Sequence, residues 1–392
     1  MHVLIIGAGI AGPALGAFLC RVGFTVSLCE SRHGPAADEG AFLGVAPNGM
    51  SVLEALGVAD AVCDAGSICL GLDFLDARGR VVGRIDTGAA AERYGSPLVL
   101  VRREDLHQTL LEVAERAGVT LHFRRRLRHI EPSEDGARAL FDDGSEIVAD
   151  LIVGCDGIRS TTRALVLPDA PAPVFLAQAD VGGYGRADDA PLGVRRNVMV
   201  FGRRAFFGAF RREDGEVWWF HNGGPAEAST ATGDEALRQR ILAAHADDPS
   251  WIADVVRSTP RIHGPWLLHD IAMMPRWHSG RVCVIGDAAH ACSPSAGQGA
   301  SLALEDAMLL ARCLRDEPAA EAFSCFELLR RDRVERIVRQ SRRNGAPKVV
   351  ASGVGAWLRD RLLPVFLRMG AAATHEQYAY RIDWAGGEEM RG

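Results

Sequence analysis

The first thirteen residues, Met1-His-Val-Leu-Ile-Ile-Gly-Ala-Gly-Ile-Ala-Gly-Pro13, decide the fold. Val3 to Ile6 is a continuous apolar run of the kind that a strand buried on both faces shows. Ile10 to Val22 follows with helical spacing, and Thr25 to Cys29 returns as strand. Gly7, Gly9 and Gly12 fall between strand and helix. The first glycine permits a tight turn, the second lets a pyrophosphate approach the backbone, and the third lets helix and strand pack closely. The start of the helix adds unpaired N–H groups and a partial positive charge, so Ala11 joins the three glycines as a candidate contact. Glu30 ends the second strand, at the spacing where a carboxylate takes ribose hydroxyls and repels a 2'-phosphate. The expected dinucleotide is therefore NAD or FAD rather than NADP.

Composition sets the limits around this unit. A chain of 392 residues exceeds one ordinary domain. Hydrophobic content of 48% and charged content of 24% are those of a globular protein with a large core. A formal net charge of -6 argues against a nucleic-acid partner, and the basic run Arg124-Arg-Arg-Leu-Arg128 reads as decoration of a loop or strand edge. The nine cysteines include no CxxC pair and no even framework spacing, which fits a reduced, cytoplasmic protein. Lys348 is the sole lysine, so arginine carries the positive charge. No apolar run reaches the roughly 18 residues of a membrane span, and glycines interrupt the N-terminal run, so no membrane association is expected. No metal-ligand spacing stands out, and nothing in the sequence sets an oligomeric state.

Further along, Pro47 to Leu56 reads as helix after a loop containing Gly40, Gly44 and Pro47. Arg103 to Ala117 is an amphipathic helix with Leu106, Leu110 and Val113 on one face, leading into a strand over Val119 to Phe123. From Ile130 two short strands flank the hairpin signal Asp142-Asp-Gly-Ser145. Asp150 to Asp156 is a buried strand ending at an acidic turn. Between about Ala177 and His269 the pattern becomes β-rich, with runs at Asn197 to Phe201, Ala205 to Arg211 and Glu216 to His221. The α/β pattern resumes at Arg281 to Ile285. Leu302 to Asn344 is almost wholly helical, and Gly353 to Met369 continues so.

The second informative stretch is Gly286-Asp-Ala-Ala-His-Ala-Cys-Ser-Pro-Ser-Ala-Gly-Gln-Gly-Ala-Ser-Leu-Ala-Leu-Glu-Asp306. Asp287 ends a strand, where ligands of open α/β sheets bind, and its carboxylate suits the hydroxyls of a ribityl chain. Gly297-Gln-Gly299 then opens a helix near Ala300, whose free N–H groups stabilise negative charge on a reduced ring. These two ends describe FAD. His290, beside Asp287, reads as a packing or hydrogen-bonding residue rather than an acid or base.

Three motifs together resemble the single-component, group A, FAD-dependent aromatic hydroxylases of the para-hydroxybenzoate hydroxylase fold. They are Gly7, Gly9, Gly12 with Glu30; Asp156-Gly157 with Ser160 and Arg163; and Gly286-Asp287 with Pro294, Gly297 and Gly299. The likeness runs from Val3 to about Arg330. It implies that Arg103, with Leu106, belongs to an RxxL element whose arginine touches the flavin cofactor. It also implies that the backbone at Leu127 meets adenine, that Asp156 belongs to the cofactor site, and that Gly44-Val-Ala-Pro-Asn48 lies near the flavin ring. The implied fold is α/β: a Rossmann-like FAD-binding domain (1–70, 98–178 and 268–330), an inserted β-sheet substrate domain (71–97 and 179–267) and a C-terminal helical segment (331–392).

The implied chemistry is reduction of FAD by NAD(P)H, addition of O2 as a C4a-hydroperoxide, and transfer of its terminal oxygen to an aromatic or polycyclic small molecule. The cofactor supplies the reactivity, and the protein supplies position, dryness and electrostatics. No side chain is required as a nucleophile; Pro294 and Gln298 are the candidates nearest the oxygen-transfer locus. For the substrate wall the candidates are Arg204, Phe206, Trp218, Trp219 and His221, with Trp218 and Trp219 on opposite faces by strand alternation. Competing readings are a flavin-dependent reductase or dehydrogenase of the same fold and a non-redox binding protein of the same architecture. A flavin-dependent halogenase is disfavoured by the absence of a WxWxIP motif and of an early lysine.

Overall fold

The computed structural model describes residues 1–34, 42–133, 136–224, 233–271 and 273–345, and near the C-terminus 355, 361–362, 370 and 372–386. Gly40 and most of the helix expected over Gly353 to Met369 lie outside the described residues.

The N-terminal pattern folds as its periodicity demands. His2–Ile6 and Thr25–Cys29 pair in parallel, with the helix Ala11–Arg21 between them. They belong to a six-stranded sheet whose order is His278–Ser279, Val282–Val284, Leu151–Gly154, His2–Ile6, Thr25–Cys29 and Thr120–His122. The strands pair in parallel except at the His278–Ser279 edge. Alternation along the first strand divides two cores. Val3 and Ile5 face the helices, in one cluster with Leu15, Leu106, Leu110, Leu304 and Leu310. Leu4 and Ile6 face a three-stranded antiparallel sheet, in a cluster with Leu127, Ala139 and Phe141.

The second half of the architecture is a seven-stranded sheet ordered Ile262–Asp270, Val174–Arg186, Glu216–Gly223, Phe206–Arg211, Arg196–Phe201, Gly71–Asp76 and Val81–Asp86. It is antiparallel apart from the pairing of Arg196–Phe201 with Gly71–Asp76. One face of this large sheet is covered by two helices, Asp234–Ala244 and Trp251–Ser258. Both fall inside the span that the sequence presents as β-rich. Leu237 and Ile241 on the first, and Trp251, Ile252, Val255 and Val256 on the second, are buried against Val198, Val200, Phe207 and Trp219. The other face turns toward the first half: Phe210 and Trp218 are buried with Ala46, Leu98 and Leu100.

Two long helices, Gly299–Asp316 and Ala319–Asn344, complete the fold. The first packs along Ala11–Arg21 and against Pro47–Ala55. The segment 372–379 is helical, and Tyr380 and Arg381 after it return to the first half. None of the described helices is long and apolar enough to cross a membrane.

Candidate active site

Three sequence motifs far apart in the chain converge at the carboxyl ends of the central strands, which is where open α/β sheets hold ligands. Gly7 has φ +104°, and a Cβ there would lie 2.5 Å from the Cys155 carbonyl oxygen and 2.8 Å from the Asp156 Cα. A Cβ on Gly12 would lie 2.1 Å from the Gly7 carbonyl oxygen. Only glycine fits at either place. Gly9 differs: among the described residues no atom lies within 4 Å of where its Cβ would be. The first and third glycines are thus fixed by packing, and the second borders open space, the arrangement a pyrophosphate needs. Ala11 starts the helix, and the Cβ that Gly286 lacks would be 3.4 Å from its side chain, which joins the first motif to the third.

Glu30 is buried, and its oxygens are in use. The Ala8 amide donates to Oε2 at 2.9 Å, and the Arg32 amide donates to Oε1 at 2.9 Å. The Arg32 guanidinium reaches Oε1 at 3.1 Å. Burial works to raise this carboxyl, but the Arg32 and Ala8 hydrogen bonds outweigh it and hold Glu30 below its ordinary value. Next to it, Arg125 donates its amide to the Glu30 carbonyl at 2.8 Å. Leu127 begins the next strand, with its side chain buried beneath the sheet.

The middle motif is self-contained. Ser160 donates to Asp156 Oδ1 at 2.5 Å, and the Thr162 amide and hydroxyl donate to Oδ2 at 2.9 and 3.0 Å. The Ser160 hydroxyl also caps the helix Thr161–Val166 by accepting from the Arg163 amide. The buried Arg163 guanidinium donates to the Ala288 carbonyl at 2.8 Å and the Ile158 carbonyl at 2.7 Å. Asp156 therefore orders its own turn, while Arg163 fastens that turn to the third motif.

At the third motif Asp287 is exposed, and among the described residues its carboxylate accepts no hydrogen bond. The surrounding protein pushes this carboxyl above its ordinary value, with His290 and Arg103 holding the rise down. Arg103 opens the helix Arg103–Ala117 and is itself exposed, so the RxxL arginine and Asp287 share one electrostatic neighbourhood. Pro294 and Gly297 are exposed, Gly299 and Ala300 half-buried, and Gly297 takes φ +60°. Gly44 pairs with Leu100, bringing its loop alongside the strand Val99–Arg102.

Gln298 turns inward: it is 1% exposed, and its Oε1 accepts from Asn48 Nδ2 at 3.0 Å. The same Nδ2 donates to Glu305 at 2.6 Å, while Asn48 Oδ1 is buried with no partner among the described residues. The Ser301 hydroxyl accepts from the Ala46 amide at 3.1 Å, and a Cβ on Gly49 would lie 2.6 Å from that hydroxyl. The loop after Gly44 is thereby locked onto the helix after Gly299. Beneath both lies a layer of buried charge. Arg330 contacts Glu305 Oε2 and Asp306 Oδ1, each at 2.6 Å, and Arg333 contacts Glu305 at 2.8 Å. Asp306 also accepts from the Gly286 amide at 2.8 Å and pairs with His290 at 2.5 Å, which gives His290 the structural role read from the sequence. Burial works to raise Asp306, but His290 and Arg330 outweigh it and hold the carboxyl at about 2.

The substrate candidates separate onto two faces. Trp218 and Phe206 lie on the face turned toward the first half, Trp218 beside Phe42 and Tyr184, and Phe206 against Phe201 and Phe220. Trp219 and His221 are on the opposite face. Trp219 stacks on Phe207 and donates to Thr259, and His221 meets His245 at 2.9 Å. Arg204 is also directed to that side, where it bonds the Ala243 and Ala244 carbonyls and Asp247. Arg204 and His221 therefore do not reach the face that Trp218 shares with Ala46 of the Gly44 loop, because helices cover the side on which they stand. The sequence reading missed Phe220, half-buried over Gly208, and Asn222, which donates to Asp180 at 2.7 Å. Two-residue periodicity from Trp218 marks both.

A nucleotide-binding flavoprotein is the class that this convergence defines. Residues 1–341 match the FAD binding domain family, and the chain belongs to it. Aurachin C monooxygenase/isomerase of Stigmatella aurantiaca is 31% identical over 93% of this chain and 94% of its own length. For 3-hydroxybenzoate 6-hydroxylase of Klebsiella oxytoca the identity is 30%, over 92% of each chain. A Klebsiella pneumoniae HpxO variant solved with FAD superimposes with a TM-score of 0.84 at 25% identity, covering 96% of this chain and 99% of that one. The chain is an FAD-dependent aromatic monooxygenase, as the three motifs imply.

Proposed function

We propose that this enzyme hydroxylates a small aromatic or polycyclic molecule held between the Trp218 face of the large sheet and the loops at Gly44 and Gly297, with NAD(P)H and O2 as co-substrates. The observation that carries this reading is the face itself. The half-buried Phe220 gives it an aromatic edge, the buried Phe206 and Trp218 back that edge, and the Asp180–Asn222 pair adds a polar point that suits a hydroxyl or amine on the ring.

FAD, when bound, supplies the oxygen chemistry. The chain's own residues fit it: open space at Gly9 for pyrophosphate, Glu30 beside the turn, and Asp287 exposed and unbonded among the described residues. In this reading Gly7, Gly9, Ala11, Gly12, Glu30 and Leu127 hold the adenosine and pyrophosphate. Gly44, Arg103, Asp287, Gly297, Gly299 and Ala300 surround the flavin, and Asp156 holds its turn in place. Pro294 borders the oxygen-transfer locus, and Gln298 fixes the loop below it. The grouping of 71–97 with 179–267 as substrate segments, apart from the FAD-binding segments 1–70, 98–178 and 268–330, is supported by strand pairing, since Gly71–Asp76 and Val81–Asp86 join the sheet of residues 196–223. The boundaries at 178/179 and 267/268 are corrected outward, because the strands Val174–Arg186 and Ile262–Asp270 of that sheet cross them. Of segment 331–392, Arg333 and Tyr380 brace the site, the Arg333 guanidinium lying 3.9 Å from the Tyr380 ring while holding Glu305. The segment's start at 331 falls within the continuous helix Ala319–Asn344. A cytoplasmic location belongs to the same reading, all nine cysteines being free thiols.

The test is a screen of aromatic and polycyclic compounds for stimulated NAD(P)H oxidation by the purified holoenzyme, with mass detection of the product. At least one compound is expected to gain a single oxygen. Stimulation by a compound that itself stays unchanged would mark an uncoupling effector, whereas products that only gain two hydrogens, with none oxygenated, would overturn hydroxylation in favour of a reductase.

A further inference from the structure

We propose that His107 is a positioning residue for cofactor binding, clamping the Ala8 peptide so that the Gly9 N–H is aimed at the pyrophosphate. The reading rests on the placement of the dinucleotide at the Gly7–Gly12 turn. His107 lies one helical turn beyond Arg103, is 3% exposed, and its Nε2 lies 2.5 Å from the Ala8 carbonyl oxygen. A carbonyl only accepts, so Nε2 carries the proton and donates. The amide of the same residue donates to Glu30 Oε2 at 2.9 Å. Both polar groups of Ala8 are thus held from opposite sides, by a helix and by a strand end.

The clamp matters because the next residue is a glycine facing open space. Among the described residues no atom lies within 4 Å of the missing Cβ of Gly9, and none of them packs on the turn there. A glycine there is free to rotate unless its neighbours are fixed. Gly7 and Gly12 are fixed by close contact, and Ala8, which bears the peptide leading into Gly9, is fixed by Glu30 and His107. Burial pushes His107 below its ordinary value, so the ring stays neutral at pH 7 and brings no charge to the phosphates. Its contribution is orientation, which is the cost that preorganisation removes from binding.

The experiment compares His107→Gln with His107→Met, two side chains of similar shape of which only the first has an N–H to donate. FAD release from each holoenzyme is followed on dilution as the gain in flavin fluorescence, with exchange of the amides in residues 4–12 measured by mass spectrometry. H107Q should release FAD within about twofold of the unchanged enzyme, and H107M about fivefold to tenfold faster, the scale of one net hydrogen bond. Exchange in residues 4–12 should be faster in H107M alone. Equal release by the two variants overturns the proposal, as does loss that tracks a common fall in melting temperature. If H107M does not fold, release and exchange from H107Q decide: both must stay near the unchanged enzyme. Gly9→Asp separates the proposal from its premise. Rapid FAD loss from G9D with none from H107M defeats the clamp alone, and FAD retention by G9D defeats the placement of the dinucleotide and the clamp with it.

Discussion

Two carboxylates stand at the ends of parallel strands, on either side of His2–Ile6 and Leu151–Gly154, and the fold treats them in opposite ways. Glu30 is buried, and Ala8 and Arg32 already donate to it. Asp287 is exposed and accepts nothing among the described residues. The difference lies in what holds each end of the site. At the Glu30 end, backbone packing at Gly7 and Gly12 leaves so little freedom that the carboxylate doubles as a structural brace. At the Asp287 end the backbone is fixed by Asp306, Glu305, Arg330 and His290, and the carboxylate is left without a hydrogen-bond donor among the described residues. A site can thus be kept rigid by filling its own residues' hydrogen bonds, or by moving that work one layer down.

The contrast breaks most severely if the lower layer is removed. Arg330→Ala leaves Glu305 and Asp306 buried without their central cation. Breaking a buried ion pair from one side costs about 3–5 kcal/mol, so chemical denaturation should show a loss of that size. A variant of unchanged stability would mean the layer does not hold the Asp287 end. Next in size is the difference between the carboxylates themselves. Asp287→Ala should speed FAD release by about tenfold to a hundredfold, the range of a hydrogen bond to a charged group, with the melting temperature of the FAD-free protein little changed. Glu30→Ala should lower FAD retention and that melting temperature together, because it also strips the Ala8 amide and Arg32 of their acceptor. If D287A melts early as well, the division of labour fails.

How much of the site is legible in the sequence depends on range. The GxGxxG turn is readable because its constraints act within twelve residues, and the helix Arg103–Ala117 carries its apolar stripe and its end signal in the chain itself. Asp287 is readable from the strand before it and the glycines after it. The ionic layer is not, because it joins Asn48, Gln298, Glu305 and Arg330 across three segments, and only the oddity of Glu305-Asp306 within an apolar helix hints at it. The large sheet shows a different limit. Alternation separates Trp218 from Trp219 and also sets His221 with Trp219, yet nothing local says which face the helices cover. Leu237, Ile241 and Trp251 decide that, and they lie within a span whose strands dominate its pattern.

The smallest effect tests the lower layer through pH. The Asp306 carboxyl is held at about 2 in the folded protein against an ordinary value of 3.8. As pH falls below about 4 the unfolded chain takes up this proton while the folded protein does not, so stability drains toward the unfolded state until pH reaches about 2. Above pH 4 the contribution is fully present, and it amounts to about 2 kcal/mol. The urea midpoint of the unchanged enzyme should therefore fall more steeply from pH 4 to pH 2 than that of Asp306→Asn, which has no proton to bind there. Asp287→Asn should act with the opposite sign. The raised Asp287 carboxyl binds its proton in the folded state first, so its removal takes away a contribution that favours folding as pH falls. Equal slopes for the enzyme and D306N would show that Asp306 is not the anion on which the floor of the site is built.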